Sequence, residues 1–355
     1  MAVRYPLVDL LKALAAQCIV LHHFSAYGPL SDAARQVLPG MVNGLYDHGR
    51  IAVQVFLVVA GYLAARSLAE RVHGHRGLLP AVIDRYARLA GPFMAALVLA
   101  VLCAALARPW LSDDFVPAQP SWLQMLAHAT LLHGILGYDA LSAGVWYVAI
   151  DFQLFALLAL MFWMGASRLQ VTPMLVAILC VSSLLVLNRH ANLDDWSVYF
   201  FGAYGMGALA WWAGRKSLEQ SLDQAPTRWL FALVVVLALV GLALEFRTRI
   251  VLALVTALLL ARWGAVPATA QRTPSVAAAV QHLSQTSYAL FLIHFPVLML
   301  FNALFAGLSL TAPGAALCFI ALGWIASVGL AALFFHAVES PLGRWRWGRD
   351  VRVNR

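Results

Sequence analysis

Apolar runs of roughly twenty residues, each closed by short polar or basic punctuation, recur from one end of this chain to the other. About ten can be traced, over residues 6–28, 51–68, 89–107, 146–165, 173–188, 197–213, 228–245, 249–263, 287–305 and 313–336. A bilayer's hydrocarbon core is about 30 Å thick and a helix rises about 1.5 Å per residue, so roughly 20 apolar residues cross it. Because a helix satisfies its own backbone in lipid, the pattern predicts an all-α, polytopic membrane bundle of about ten transmembrane helices. The runs at 173–188, 197–213 and 249–263 are short or interrupted by polar residues.

Asp9, Lys12 and Gln17 break the first run, which therefore reads as a retained helix rather than a signal peptide. No fixed-period repeat and no linker divides the chain. One membrane domain over 1–341, followed by a basic tail over 342–355, is the simplest organisation. Two connections are long, 28–50 and 108–144. The second carries an amphipathic stretch from Trp122 to Leu136 that suits a membrane interface.

Composition sharpens this picture. Charged residues make up 11% of the 355, against about 25% in soluble domains, and 62% are hydrophobic. Mean hydropathy is +0.79. The net charge of +8 has a topological cause. With a cytoplasmic N-terminus and ten spans, 18 of the 24 lysines and arginines fall on the cytoplasmic side, and both termini lie there. Nucleic acid is not needed as a partner to explain the charge. The four cysteines all lie within apolar runs and none forms a CxxC, so neither a disulfide frame nor a metal site is expected.

Chemistry is sought among polar residues inside the apolar runs, where an ionisable group is costly. The stretch "AAQCIVLHHF" at 15–24 sets His22 beside His23 in the first helix. From Lys12 to His23 is eleven residues, about 20° from three full turns with a rise of roughly 16 Å. These two share a face at different depths, whereas His22 is turned about 100° away, so the doublet is not a metal pair. In "DRYARLAGP", Arg85 and Arg88 lie three apart on one face at the mouth of the third run, where guanidinium groups hold phosphate or carboxylate.

"VWYVAIDFQLF" opens the fourth run with Trp146, Asp151 and Gln153. "SYALFLIHFPVLML" carries Ser287, Tyr288 and His294, and "HAVESP" ends the last run with Glu339. Each has a structural alternative: basic residues flank spans, a carboxylate pairs with an arginine, and a histidine bonds within a core. No nucleophile elbow, phosphate loop, zinc or dinucleotide motif stands in a supporting context.

Taken in order, these segments resemble the acyltransferase 3 family, integral membrane enzymes that decorate bacterial glycans and related acceptors. "VDLLKALAAQCIVLHHF" is similar to its first-helix pattern, an acid, a base and then a histidine, which selects Asp9, Lys12 and His23. "VFLVVAGYLAARS" is similar to the second-helix motif around Gly61, Arg85 with Arg88 to the RxxR pair, and Trp146 to Gln153 to the tryptophan-acid segment. "SYALFLIHFPV" and "ESP" resemble the late motifs. Three positions depart: Ala60 and Tyr147 stand where the family has serine, and Asp151 where it has glutamate.

The resemblance implies an acyl-CoA donor, most frequently acetyl-CoA, bound from the cytoplasm at the inner membrane. It implies a hydroxyl acceptor on the other side, commonly a cell-envelope or exported polysaccharide or its lipid-linked precursor. Lys12, Arg85 and Arg88 would then hold the donor, and His23 would serve as base or acyl carrier. Asp151 would orient the ring, and Asp9, Trp146, Gln153, Ser287, Tyr288, His294 and Glu339 would support the substrate path. Membrane lipids, the donor and the glycan are the partners expected, and the oligomeric state is not legible. The rival class is a transporter or flippase, against which stands the absence of a repeated half with matching broken helices.

Overall fold

The computed structural model describes residues 5–73, 77–112, 114–165, 170–214, 225–266 and 275–344. The basic tail beyond 344 and residues 74–76 lie outside the described residues. Each of the ten apolar runs is helical: α1 (Pro6–Ala26), α4 (Val53–His73), α5 (Leu78–Ala107), α7 (Val145–Met164), α8 (Val171–Leu185), α9 (Ser197–Gly214), α10 (Ala225–Leu244), α11 (Thr248–Trp263), α13 (Ser287–Gly307) and α14 (Pro313–Phe334). Shorter helices join them: α2 (Gly28–Arg35), α3 (Pro39–His48), α6 (Trp122–Ala129), α12 (Ser275–Gln285) and α15 (Ser340–Arg344). The connection at 28–50 is thus mostly helical. Proline at the first turns of α1, α2, α3 and α14 marks their starts, where its missing N–H is no loss.

Among the described residues, eight helical segments are long and apolar enough to cross a membrane. The two runs that fall short are α9 and α11, and α9 shows why. It is packed on α4, α7, α8, α10 and α11, and twelve of its residues from Ser197 to Trp211 are buried. A helix surrounded by protein needs close approach more than lipid compatibility, so glycine, tyrosine and tryptophan replace leucine.

A second group gathers around α13, which packs on α1, α5 and α14 and is buried along most of its length. Pro296 sits inside it without ending it. α4 and α7 from the first group face α1, α5 and α13 from the second, and the seam between them holds the main cavity.

Gly61 of the second-helix motif belongs to the packing. A Cβ at Gly61 would fall on the Tyr204 carbonyl oxygen of α9, and one at Gly207 would fall on the Val58 carbonyl oxygen of α4. Neither neighbour is a movable side-chain tip. Gly61→Ala and Gly207→Ala are each expected to destabilise the fold by about 1–3 kcal/mol or more. The expected result in thermal unfolding of the purified protein is a lowered midpoint for both, with neutral behaviour for Gly329→Ala, which faces open space.

Candidate active site

The seam cavity has a volume of about 470 Å³ and opens at the end of the bundle where α4 finishes and α5 begins. Four cations line it, Lys12, Arg71, Arg85 and Arg88, with the carboxylates Asp151 and Glu339. Leu63, Val59 and Phe155 make the wall apolar. Such a space suits a polyanionic head outside and an apolar arm within.

Arg85 of α5 donates to Asp151 Oδ2 of α7 in a short ion pair across the wall. The Asp151 side chain is 6% exposed and Arg85 27%, and the guanidinium lies 5.4 Å from the centre of the Phe155 ring. Tyr288 donates its hydroxyl to the Leu89 carbonyl at 3.1 Å, tying α13 to α5. Ser284 donates to Asp9 Oδ1 at 2.7 Å. Arg85 Nε and Glu339 Oε2 are buried without a hydrogen-bond partner among the described residues. Glu339 ends a π-helical turn, Phe335–Glu339, of the kind that displaces a side chain from regular helix geometry.

Toward the middle of the bundle the cavity is closed by aromatic rings. Tyr147 lies 5.3 Å from Phe291 and 6.1 Å from Phe56 between ring centres. Phe291 in turn lies 6.1 Å from the His294 ring. Beyond it, His23 Nδ1 and His294 Nε2 are 2.6 Å apart, with 5° between the ring planes. His294 Nδ1 is 2.9 Å from the Leu290 carbonyl.

Those two contacts set the tautomers. A carbonyl only accepts, so His294 carries its proton on Nδ1 and leaves Nε2 as an acceptor. His23 must then donate from Nδ1, and in the neutral ring the lone pair is left on Nε2. That nitrogen has no hydrogen-bond partner among the described residues.

A family model described as an acyltransferase domain matches residues 5–336. The chain belongs to the acyltransferase 3 family. No curated protein and no solved structure matches it. As a membrane acyltransferase of that family it gathers Lys12, Arg85, Arg88, Asp151, Ser287, Tyr288 and Glu339 around one cavity, with Asp9 bonded beneath α12 and His23 paired to His294 beyond the rings.

Several sequence expectations for this acyltransferase are altered by contacts. Asp151 does not orient His23, because Arg85 takes its carboxylate. His22, turned away from the His23 face, docks a neighbouring helix: its Nδ1 donates to the Leu45 carbonyl at 3.0 Å, and its ring lies 6.3 Å from Tyr46. Trp146 and Gln153 lie apart from the main cavity and wall a second one, of about 300 Å³. Arg71 and Phe291 were missed. Arg71 sits where any basic flank would, and Phe291 is one phenylalanine among 18.

The structural role of the ion pair is separable from any part it plays in acyl transfer. Arg85→Ala leaves Asp151 buried and unpaired, and is expected to cost on the order of 3 kcal/mol. Combining Arg85→Met with Asp151→Leu removes both charges and should recover most of the thermal stability without recovering transfer. Equal midpoints for Arg85→Ala and wild type would contradict the structural role.

Proposed function

We propose that this protein transfers an acyl group, acetyl first, from cytoplasmic acyl-CoA to a hydroxyl of an extracytoplasmic acceptor, a cell-envelope or exported polysaccharide or its lipid-linked precursor. In this reading the bundle sits in the bacterial inner membrane, with α9 and α11 as the two polar-rich members of ten spans and both termini inside. The cation-lined mouth then faces the cytoplasm, in keeping with the bias of basic residues. The observation that carries the reading is the hydrogen-bond relay from Leu290 through His294 to His23, which leaves a histidine lone pair at mid-bundle.

The chemistry follows from that lone pair. His23 Nε2 takes the proton from the acceptor hydroxyl as its oxygen attacks the thioester carbonyl. The tetrahedral intermediate collapses by breaking the carbon–sulfur bond, and the imidazolium returns the proton to the departing thiolate. His294 stabilises the imidazolium as a hydrogen-bond acceptor through Nε2. The same lone pair also serves the alternative in which His23 briefly carries the acyl group. The fit to the donor rests on Lys12, Arg71 and Arg88 for phosphates, and on the unpartnered Arg85 Nε and Glu339 Oε2 for polar groups along the arm.

His23→Ala is expected to reduce transfer from acetyl-CoA by a factor of about 10³ or more, with the thermal midpoint within a few degrees of wild type. His22→Ala should retain most activity. Full activity of the His23 variant in reconstituted membranes refutes the assignment. Arg88→Ala, at an exposed position, should raise the KM for acetyl-CoA roughly tenfold while leaving kcat near wild type. Thermal stabilisation of wild type by acetyl-CoA, and a labelled acyl-protein on incubation with donor alone, separate direct transfer from the covalent route.

A further inference from the structure

The second cavity lies on the other face of α7. Trp146, Ala149, Ile150 and Gln153 line it, whereas Tyr147, Val148, Asp151 and Phe155 line the first. At about 100° per residue these two sets point in nearly opposite directions, so the helix is a partition between the cavities. A group in the second cavity does not meet His23.

Its walls are built by a strained segment. Leu131, fully buried, holds a positive φ of 59°, and Gly137 one of 73°. Gly134 lets the Asp195 carboxylate approach its backbone, and a Cβ there would overlap Oδ1. Gln153 closes the opposite side by accepting from the Ser197 amide at 3.1 Å. Set into this wall, His133 is 2% exposed and neither ring nitrogen has a hydrogen-bond partner among the described residues. Its ring stacks on His128 at 4.1 Å. Burial, and then the neighbouring His128, lower its pKa to about 4, so at neutral pH it offers one N–H and one lone pair.

The remaining chemistry is one-sided. Asp139, Asp194 and Asp195 supply acceptors, and neither lysine nor arginine lines the cavity. Phosphate and carboxylate ligands are repelled by such a set, while groups rich in O–H donors are matched. The Trp146 and Tyr138 rings offer apolar faces beside the carboxylates. No group of three potential metal ligands exists among the described residues. Hydroxyls on an apolar ring are the chemistry of a neutral sugar.

We propose that this second cavity binds one saccharide unit of the acceptor, distinct from the unit whose hydroxyl reacts. The proposal rests on the hydroxyl-acceptor reading above and adds a docking site apart from both the first cavity and His23. An acceptor of several units engages both sites and a monosaccharide only one, so longer acceptors have the lower KM.

The test is ligand-observed saturation-transfer NMR on the full-length protein in lipid nanodiscs, without donor, using maltose, cellobiose and N,N′-diacetylchitobiose. At least one disaccharide is expected to show transfer to its ring C–H protons. Asp139→Ala combined with Asp194→Ala, both exposed positions, should weaken that binding tenfold or more while acetyl-CoA binding stays unchanged. Trp146→Ala should lose the C–H transfer. His23→Ala should bind the disaccharide as wild type does, so loss of transfer activity and loss of sugar binding are read separately. Absence of signal from all three disaccharides, or signal unchanged in the double variant, overturns the proposal. So does terbium luminescence showing that the aspartates hold a cation in preference to sugar.

Discussion

Arg85 and Asp151 meet in the wall of a cavity inside an apolar bundle, where neither charge can be left alone. Stripping one partner leaves the other buried without compensation, so the pair holds α5 and α7 at a fixed spacing. The first cavity exists because that spacing is kept. Tyr288, reaching from α13 to the Leu89 carbonyl, ties the third wall to the same helix. The first cavity is thus framed by a charge pair that compensates itself within the wall, with Lys12, Arg71 and Arg88 as the other cations along its lining.

The histidine pair obeys the same rule in neutral form. Inside the bundle an imidazole must place its N–H somewhere, and the Leu290 carbonyl, one turn earlier in α13, accepts it and starts a relay that ends at His23. Direction matters more than proximity here. Were the relay reversed, the outward nitrogen of His23 would carry a proton and have no lone pair to offer. His22, one residue away and rotated, spends its N–H on Leu45 and fastens α3 to α1.

α7 links the two cavities by separating them. Residues at Trp146 and Gln153 share one face, residues at Tyr147 and Asp151 the other. One short segment, "VWYVAIDFQLF", therefore contributes to two sites of different chemistry, basic and apolar on one side, acidic and aromatic on the other. The aromatic layer of Phe56, Tyr147 and Phe291 closes the first cavity before the histidines, and Tyr147 stands in that layer where the family has serine.

Helical class, the positions of the ten apolar helices, the shared face of Lys12 and His23, and the family itself were all legible in the residues, because helix period and hydrophobic length are local properties of a chain. Local pattern also isolated Asp151, His294 and Glu339 as groups too costly to bury idly. It did not reveal their partners. For Asp151 the residues alone left both His23 and an arginine open; it belongs to Arg85, 66 residues away in the chain, and His23 belongs to His294, 271 residues away. Trp146 and Gln153 were grouped with the main site and line another. Those choices depend on which helices become neighbours and how each is rotated about its axis, and a rotation of about 100° moves a side chain from one cavity to the next. Sequence determined which groups had to be satisfied, and only tertiary packing decided by whom.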